Sequence, residues 1–492
     1  MNEVGRVSPK ASRRSAGSAL NAREPVRLDR RFLLFSLLAA LILSWPLLAF
    51  GHPAYFQDSA AYYKGGRAAV SFALAKVDQP EQTGTEAQSA KAPHTDAARE
   101  ASGVRSITYS VATYVLSAPR ATMLLLTLAQ ALATGAIMVA ALGAFGGLSV
   151  RRTSAALILL SGASTVAVVS FLAVPDIFAG LLIAAMILLT TALTRLSTGV
   201  RLICAAIAAF AMTAHPSHIP LAGGMTMLGL GWVALGRYFD SPPPRWTWAW
   251  VLAPLLVGGL TILSFNRVAF GETSLTSKQY PFLLARSVND GPGRWYLERN
   301  CPELRYTICT LYPNGLPEGG ALEFLWGKDG VVERATPAQM DRIRAEEREI
   351  VVAAAREYAG YEVRKLSFNI ARQLVTFQPY PFEQRLVLDE TGTPQLAPAR
   401  QNNQVLLRVV GFLTAISAAL AAAWLGRTFF RERGLRPVIA LVFLGILGNA
   451  ATCAILSAVS HRYQARVVWL LPLFALALYG SLAARKPDQA QS

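Results

Sequence analysis

Two aspartates stand at the edges of long apolar segments, where a carboxylate could carry out chemistry at a membrane surface. Asp58 lies in the sequence FQDSAAYY, shortly after the first apolar run, and Asp176 lies in VPDIF between two others. A carboxylate at that depth loses hydration, so it is usually excluded or kept for a function. It could act as a general base toward an incoming hydroxyl group. Each aspartate could instead cap the helix that follows it, because aspartate is a favoured N-cap residue.

Other polar residues gather at the ends of the same apolar runs. They are the candidate substrate-binding residues Tyr62, Arg105, His215, His218, His461, Arg462, Tyr463 and Arg466. Arginine binds phosphate through paired hydrogen bonds, so this set favours a phosphate-bearing ligand that approaches from the bilayer. Two alternatives stay open. The histidines beside Pro216 could make structural hydrogen bonds only, and the segment 461–463 could be an interface anchor, since Tyr and Arg favour headgroup depth.

The elements that would position these residues are membrane helices. Of 492 residues, 53% are hydrophobic and 16% are charged, whereas soluble chains carry about 25% charged residues. The apolar runs cover 31–50, 121–148, 154–173, 176–194, 201–215, 218–236, 247–265, 404–426, 436–459 and 466–484. The pattern predicts an all-α polytopic membrane protein with about ten transmembrane helices.

The positive charges predict which side of the membrane each loop occupies. Much of the net charge of +17 lies in the N-terminal tail and in the short loops between apolar runs, such as Arg151-Arg152. This is the pattern of the positive-inside rule, and it predicts that both termini are cytoplasmic. No basic stripe with interleaved aromatic residues indicates binding of nucleic acid. The candidate residues above then fall together on the outer face.

This topology divides the chain into five parts. They are a basic cytoplasmic tail (1–31), an N-terminal membrane region of about seven spans (32–265) with an outer loop (52–119), a mixed extracytoplasmic domain (266–402), a C-terminal membrane region of three spans (403–484) and a cytoplasmic tail (485–492). The segment 78–103 is a low-complexity insert in the outer loop. If the extracytoplasmic domain faces an oxidising compartment, we expect Cys301 and Cys309 to form a disulfide.

Several of these motifs resemble those of the GT-C superfamily, integral-membrane glycosyltransferases that use polyprenyl-phosphate-linked sugars. The similar segments are DSAAYY (58–63), Pro175-Asp176, RSITYS (105–110) and RYQAR (462–466) before WLLP. The resemblance covers 32–265 and 404–484. It implies that Asp58 is the catalytic base or positions the acceptor, and that Arg462 and Arg466 hold the lipid phosphate. Many relatives have a second acidic residue where Ser59 stands here, which argues against a metal held by paired carboxylates.

We therefore expect a membrane glycosyltransferase that moves a sugar from a polyprenyl-phosphate carrier to an envelope acceptor on the outer face of a bacterial inner membrane. Arg105, Arg462 and Arg466 would neutralise the departing phosphate. Asp176 would position the acceptor, hold a histidine, or share a divalent metal with Asp58. Besides this donor, the acceptor and membrane lipids, no partner is indicated. The alternatives are a polytopic transporter or flippase for lipid or glycan, and a non-catalytic scaffold for envelope assembly.

Overall fold

The computed structural model describes residues 24–77, 106–117, 122–236, 242–276, 279–390, 394–399 and 403–483, and most of these residues are helical. The first helices are α1 (Arg30–Leu43), α2 (Trp45–Phe50), α3 (Gln57–Val77), α4 (Ile107–Ser117), α5 (Leu124–Gly146), α6 (Val150–Gly162), α7 (Val166–Ser170), α8 (Ile177–Thr191), α9 (Thr198–Ala214), α10 (His218–Leu235) and α11 (Thr247–Phe270). The next are α12 (Phe282–Asp290), α13 (Pro292–Asn300), α14 (Thr307–Leu311), α15 (Ala321–Trp326), α16 (Val331–Arg334), α17 (Pro337–Glu357) and α18 (Ala359–Leu374). An antiparallel hairpin of β1 (Gln384–Leu388) and β2 (Pro394–Pro398) precedes α19 (Gln404–Arg431), α20 (Arg436–Leu456), α21 (His461–Val468) and α22 (Leu470–Ala483).

Within the described ranges, seven helical stretches are long and apolar enough to cross a membrane. They are Arg30–Phe50, Leu124–Gly146, His218–Leu235, Thr247–Ala269, Gln404–Arg431, Arg433–Leu456 and His461–Ala483. The apolar helices α8 and α9 are shorter. The protein is thus a helical, multi-pass membrane protein, as its composition predicts, although seven full-length stretches are fewer than the predicted number of about ten.

The predicted span 154–173 is not one continuous helix. It divides into α6 and the short helix α7, and Leu172, which follows α7, pairs with Ala54. Gly162 and two hydroxyl residues lie at the break, and such side chains compete for backbone hydrogen bonds. Ser164 Oγ donates to the carbonyl of Leu160, while Ser417 Oγ donates to the freed carbonyl of Ala163 at 2.6 Å. The break is therefore stabilised by hydrogen bonds that the apolar pattern does not reveal.

Small residues bring the main helices into close contact. A Cβ atom on Gly135 of α5 would lie 2.6 Å from the carbonyl oxygen of Ser36 on α1, so these two backbones touch. Close approach through small residues is the usual way in which membrane helices pack. The start of α1 is set by Asp29, whose carboxylate accepts a hydrogen bond from the backbone N–H of Phe32. The first predicted span thereby has a defined beginning and a fixed neighbour.

The segment between α11 and α19 has an apolar core of its own. Helices α12 to α17 contribute buried side chains such as Leu284, Ile343 and Ile350 to a cluster that is separate from the core of the membrane helices. A buried ionic network joins α12 to α18, because Arg286 pairs with Asp290 at 3.0 Å and with Glu362 at 2.6 Å. Helix α18 then packs against α20. This helical segment is thus attached directly to the membrane helices.

Cys301 and Cys309 form a disulfide, with their Cα atoms 5.4 Å apart. It joins the end of α13 to α14 and closes the loop between them. The other two cysteines, Cys204 and Cys453, are free and buried.

Candidate functional site

Backbone pairing brings Asp58 and Asp176 to the same place. The N–H of Ala54 donates to the carbonyl of Phe171, and the N–H of Ala173 donates back to Ala54, both at 2.8 Å. Ser59 Oγ adds a hydrogen bond to the carbonyl of Ala173 at 2.9 Å. The start of α3 is therefore fixed to the turn that precedes α8. This contact also explains why a serine follows Asp58, because the hydroxyl group of Ser59 bonds a backbone carbonyl of the neighbouring segment.

A second contact places two arginines opposite these aspartates. At Gly180 on α8, an added Cβ would lie 2.6 Å from the carbonyl oxygen of Arg466 and 2.7 Å from the ring of Trp469. The indole of Trp469 donates to the same carbonyl at 2.8 Å. Thr165 Oγ1 donates to the carbonyl of Ala465 at 2.6 Å. Helix α21 is thus held against α8, with its arginines beside the N-terminus of α8.

Asp58, Arg462, Asp176 and Arg466 form the carboxylate–arginine site. Arg462 lies between the two carboxylates, with Nε 3.3 Å from Asp176 Oδ1 and Nη1 3.8 Å from Asp58 Oδ2. Arg466 Nη1 lies 3.6 Å from the same oxygen of Asp176. The site therefore contains two positive and two negative charges in alternation. Removing charges from water is tolerated when each is paired in this way.

The four charged groups differ in their access to solvent. The side chains of Asp176 and Arg466 are 2% and 1% exposed, that of Arg462 is 9% exposed, and that of Asp58 is 20% exposed. Arg462 also stacks on Phe56, with its guanidinium carbon 4.2 Å from the ring centroid. Arg462 Nη1 is buried and has no hydrogen-bond partner among the described residues. Asp58 is thus the charged group that a ligand would meet first, and Arg462 Nη1 lies 3.8 Å from its carboxylate.

Arg466 is oriented by the protein itself. Its Nε and Nη2 atoms donate to Asn449 Oδ1 at 3.0 and 2.9 Å, and Nη2 also donates to Ser217 Oγ at 3.2 Å. Asn449 is oriented in turn, because its amide donates to the carbonyl of Tyr463 at 2.7 Å. These bonds leave Arg466 facing Asp176. In this arrangement Arg466 fixes the buried carboxylate.

The capping interpretation fails for Asp176 and holds in a weaker form for Asp58. Asp176 occupies the N-cap position of α8, but its side chain makes no capping hydrogen bond and faces the two arginines instead. Asp58 is the second residue of α3 and supplies the negative charge in its first turn. A carboxylate there interacts favourably with the helix dipole. This effect is compatible with its place in the carboxylate–arginine site.

The two histidines beside Pro216 have different environments. His218 is fully buried, and its Nδ1 lies 2.7 Å from the carbonyl of Ala211, which assigns a donor role to that nitrogen. His215 Nδ1 accepts the N–H of Ser217 at 3.2 Å and lies 2.8 Å from its hydroxyl group. Because Ser217 also contacts Arg466, His215 is connected to the carboxylate–arginine site through one serine. His218 is instead a buried residue that holds the end of α9.

His461 and its neighbours attach the segment after α18 to the site. His461 Nδ1 accepts the backbone N–H of Gln378 at 3.1 Å, so this ring nitrogen contacts the protein. The buried amide of Gln373 bonds both backbone groups of Ser460, at 2.8 and 2.9 Å. Tyr463 contacts both arginines of the site through its ring, and its hydroxyl group lies 3.1 Å from Ser457 Oγ. The start of α21 is therefore fixed from several sides.

Tyr380 is a site residue that the sequence analysis missed. The ring of Phe382 stacks on Phe50 with centroids 4.0 Å apart, and Tyr380 packs edge-on against Phe56 at 5.2 Å. The pKa of Tyr380 lies above its usual value, mainly because the side chain is buried. The nearby carboxylates also raise this pKa, whereas Arg462 lowers it. The segment QPYPF could have drawn attention to this position, because prolines on both sides of a tyrosine favour an extended chain. The sequence analysis did not select Tyr380 because this residue is far from any apolar run in the sequence.

Tyr62 lies beneath the site. Its ring packs edge-on against Tyr109 at 4.9 Å, and the Tyr109 hydroxyl group donates to Gln130 Oε1 at 2.7 Å. Burial is the main cause that raises the pKa of Tyr109 well above its usual value. The close packing of α3 on α4 depends on Gly66, where a Cβ would overlap the backbone of Ser110. Arg105 lies outside the described residues.

The arrangement does not fit a divalent metal shared by Asp58 and Asp176. The guanidinium group of Arg462 lies where such a cation would have to bind. Among the described residues, no group of three or more His, Cys, Asp or Glu side chains could hold a metal ion. We therefore derive no step through a metal at this site.

The fold and the site together define a class: a helical, multi-pass membrane protein whose helix ends meet at a partly buried carboxylate–arginine site. No protein-family model, curated protein or solved structure matches the chain.

Proposed function

We propose that the protein is a membrane glycosyltransferase that moves a sugar from a polyprenyl-phosphate carrier to an acceptor of the cell envelope. The observation that carries this proposal is the pairing of a partly exposed carboxylate, Asp58, with the buried and unsaturated donor Arg462 Nη1. A base and a phosphate-binding group are the two functions that such a transfer requires. They lie next to each other where membrane helices end.

The topology belongs to the same proposal. The seven full-length stretches, the shorter helices α8 and α9, and the broken pair α6–α7 would together make about ten crossings. With both termini in the cytoplasm of a bacterium, the carboxylate–arginine site and the segment between α11 and α19 would face outward. A lipid-linked donor would then reach the site from the membrane, and the acceptor from the periplasm.

In the reaction, Asp58 takes the proton of the acceptor hydroxyl group, and the oxygen of that hydroxyl group attacks the anomeric carbon of the sugar. The bond between that carbon and the phosphate oxygen of the carrier breaks, and the phosphate leaves with the bonding electron pair. Arg462 stabilises the charge that develops on this phosphate. Once protonated, Asp58 is neutral and no longer competes for Arg462, while Asp176 still holds the other side of the guanidinium group.

The remaining residues position these two. Asp176 and Arg466 are buried and paired with each other, so Arg466 would fix Asp176, and Asp176 would hold Arg462 rather than contact the sugar. Tyr380, beside Arg462 and the carboxylates, would line the way in for the acceptor. A rigid supporting arrangement of this kind is what a preorganised site needs.

The test is Asp58→Asn in cells that lack the endogenous protein, with polyprenyl-phosphate sugars and envelope glycans measured by mass spectrometry. We expect the variant to insert normally, to accumulate one lipid-linked sugar and to lose one glycan modification. Asp341→Asn is the matched control, because Asp341 is an exposed carboxylate whose ion pair among the described residues is with nearby Arg344 on α17. Wild-type glycans in the Asp58→Asn cells would exclude the base assignment. If the glycans change in the null strain but not in the Asp58→Asn cells, the result would point to the transporter or scaffold alternative.

A further inference from the structure

A cavity lies far from the carboxylate–arginine site, at the other end of the same helices. It has a volume of about 440 Å³ and lies where α5, α6 and α22 end or begin. Helix α5 starts beside the site, since Tyr55 donates to the carbonyl of Thr122, and it ends at the cavity with Gly146. With a rise of about 1.5 Å per residue, α5 separates the two places by roughly 30 Å. We call this space the basic-end cavity.

Small residues create the basic-end cavity. The backbones of Gly146 and Gly480 touch, and alanines such as Ala155, Ala156 and Ala477 line the walls. The cavity opens to the surface of the helices, and its volume lies within the roughly 300–1,000 Å³ that ligand sites occupy.

The polar groups of the cavity are concentrated at the start of α6. Arg152 and Thr153 line the cavity there, and both belong to the first turn of that helix. Thr153 is buried, and its hydroxyl group has no hydrogen-bond partner among the described residues. Ser149 already accepts the backbone N–H groups of Arg152 and Thr153, so the group suited to a phosphate here is the guanidinium of Arg152. The buried hydroxyl group would complete such a contact.

We propose that the basic-end cavity binds an anionic phospholipid from the membrane leaflet on this side. One acyl chain would lie among the alanines, glycines and leucines, and the head phosphate would contact the side chains of Arg152 and Thr153. Two features favour a lipid over other occupants. The cavity is apolar except at one end, and it lies at the ends of membrane-crossing helices. The surrounding end is also positive, because Arg151 precedes Arg152 and the guanidinium group of Arg195 lies 5.4 Å from the ring centroid of Phe145 at the end of α5, and such segments attract anionic lipids.

The experiment uses the full-length protein purified in detergent, with phosphatidylglycerol as the probe and phosphatidylcholine as the comparison. Native mass spectrometry measures how much of each lipid stays bound. We expect selective retention of phosphatidylglycerol, and about tenfold weaker binding in Arg152→Gln, the loss expected for one charge-assisted hydrogen bond. Arg151→Gln is the matched control, because it removes the same charge from an exposed position that does not line the cavity.

A second variant tests the apolar part. Ala155 lines the cavity and is exposed at its mouth, so Ala155→Phe should fill it and displace the lipid without burying a new group in the core. Equal retention by Arg152→Gln and Arg151→Gln, or equal binding of the two lipids by the wild type, would overturn the proposal. Either result can be read even if Ala155→Phe does not fold.

Discussion

The substitution Gly180→Ala tests the contact that assembles the carboxylate–arginine site. The new methyl group would lie 2.6 Å from the carbonyl oxygen of Arg466, whereas ordinary contacts begin near 3.4 Å. Helix α8 and helix α21 would have to separate by about 0.8 Å to clear this carbonyl oxygen, and the indole of Trp469, whose ring would lie 2.7 Å from the new methyl group, would have to shift as well. Both movements cost free energy, because Arg466 and Trp469 are buried.

The cost can be estimated from the two opposing effects. Overpacking of a well-filled interior costs about 1–3 kcal/mol, whereas glycine to alanine within a helix normally stabilises by up to about 1 kcal/mol. We expect a net loss of about 1–2 kcal/mol in the free energy of unfolding. The separation also moves Asp176, at the start of α8, away from Arg466. A misplacement of about 1 Å in a catalytic arrangement can lower the rate by roughly a hundredfold.

The assay is thermal unfolding in detergent together with glycan analysis in cells. Gly223→Ala is the matched control, because Gly223 lies within α10 and an added Cβ there would meet nothing within 4 Å. We expect Gly180→Ala to melt below the wild type and Gly223→Ala to melt at or above it. If the two variants melt alike and both are active, the close packing of α8 on α21 would be wrong, and with it the origin of the site.

Two further predictions concern the segment between α11 and α19. Burial raises the pKa of Glu347, whose carboxylate accepts the N–H of Leu284 at 2.9 Å. Just above pH 4.5, the ordinary pKa of this group, Glu347 therefore still holds its proton in the folded state but has lost it in the unfolded state. The free energy of unfolding should fall as the pH rises from 4.5 through the higher pKa of the folded state. Glu347→Gln should flatten this dependence in melting curves from pH 4 to 7 (about the range in which glutamate titrates), and an unchanged slope would contradict it. Cys301 and Cys309 should resist a membrane-impermeant maleimide on intact cells until a reductant is added; immediate labelling of both would refute the disulfide, and no labelling after reduction would place this segment inside the cell.

Much of the architecture could be predicted from local sequence. Most apolar runs correspond to helices, and the cysteines of the largest polar segment are joined. Asp58 and Asp176 drew attention because a charge beside an apolar run is visible in sequence. Such features depend on a few neighbouring residues, so the pattern of one segment is sufficient to predict them.

What the sequence by itself determined is therefore the helical membrane character of this chain and the residues worth examining. Only the tertiary structure decided that Arg462 lies between the two aspartates, that Arg466 is fixed by Asn449, that Tyr380 belongs to the site and that the run 154–173 is broken. These results depend on contacts between segments that are distant in the chain, and the contacts depend on where glycines allow two backbones to touch. A hydrophobic pattern indicates that a helix buries one face, but it does not specify which partner that face will meet.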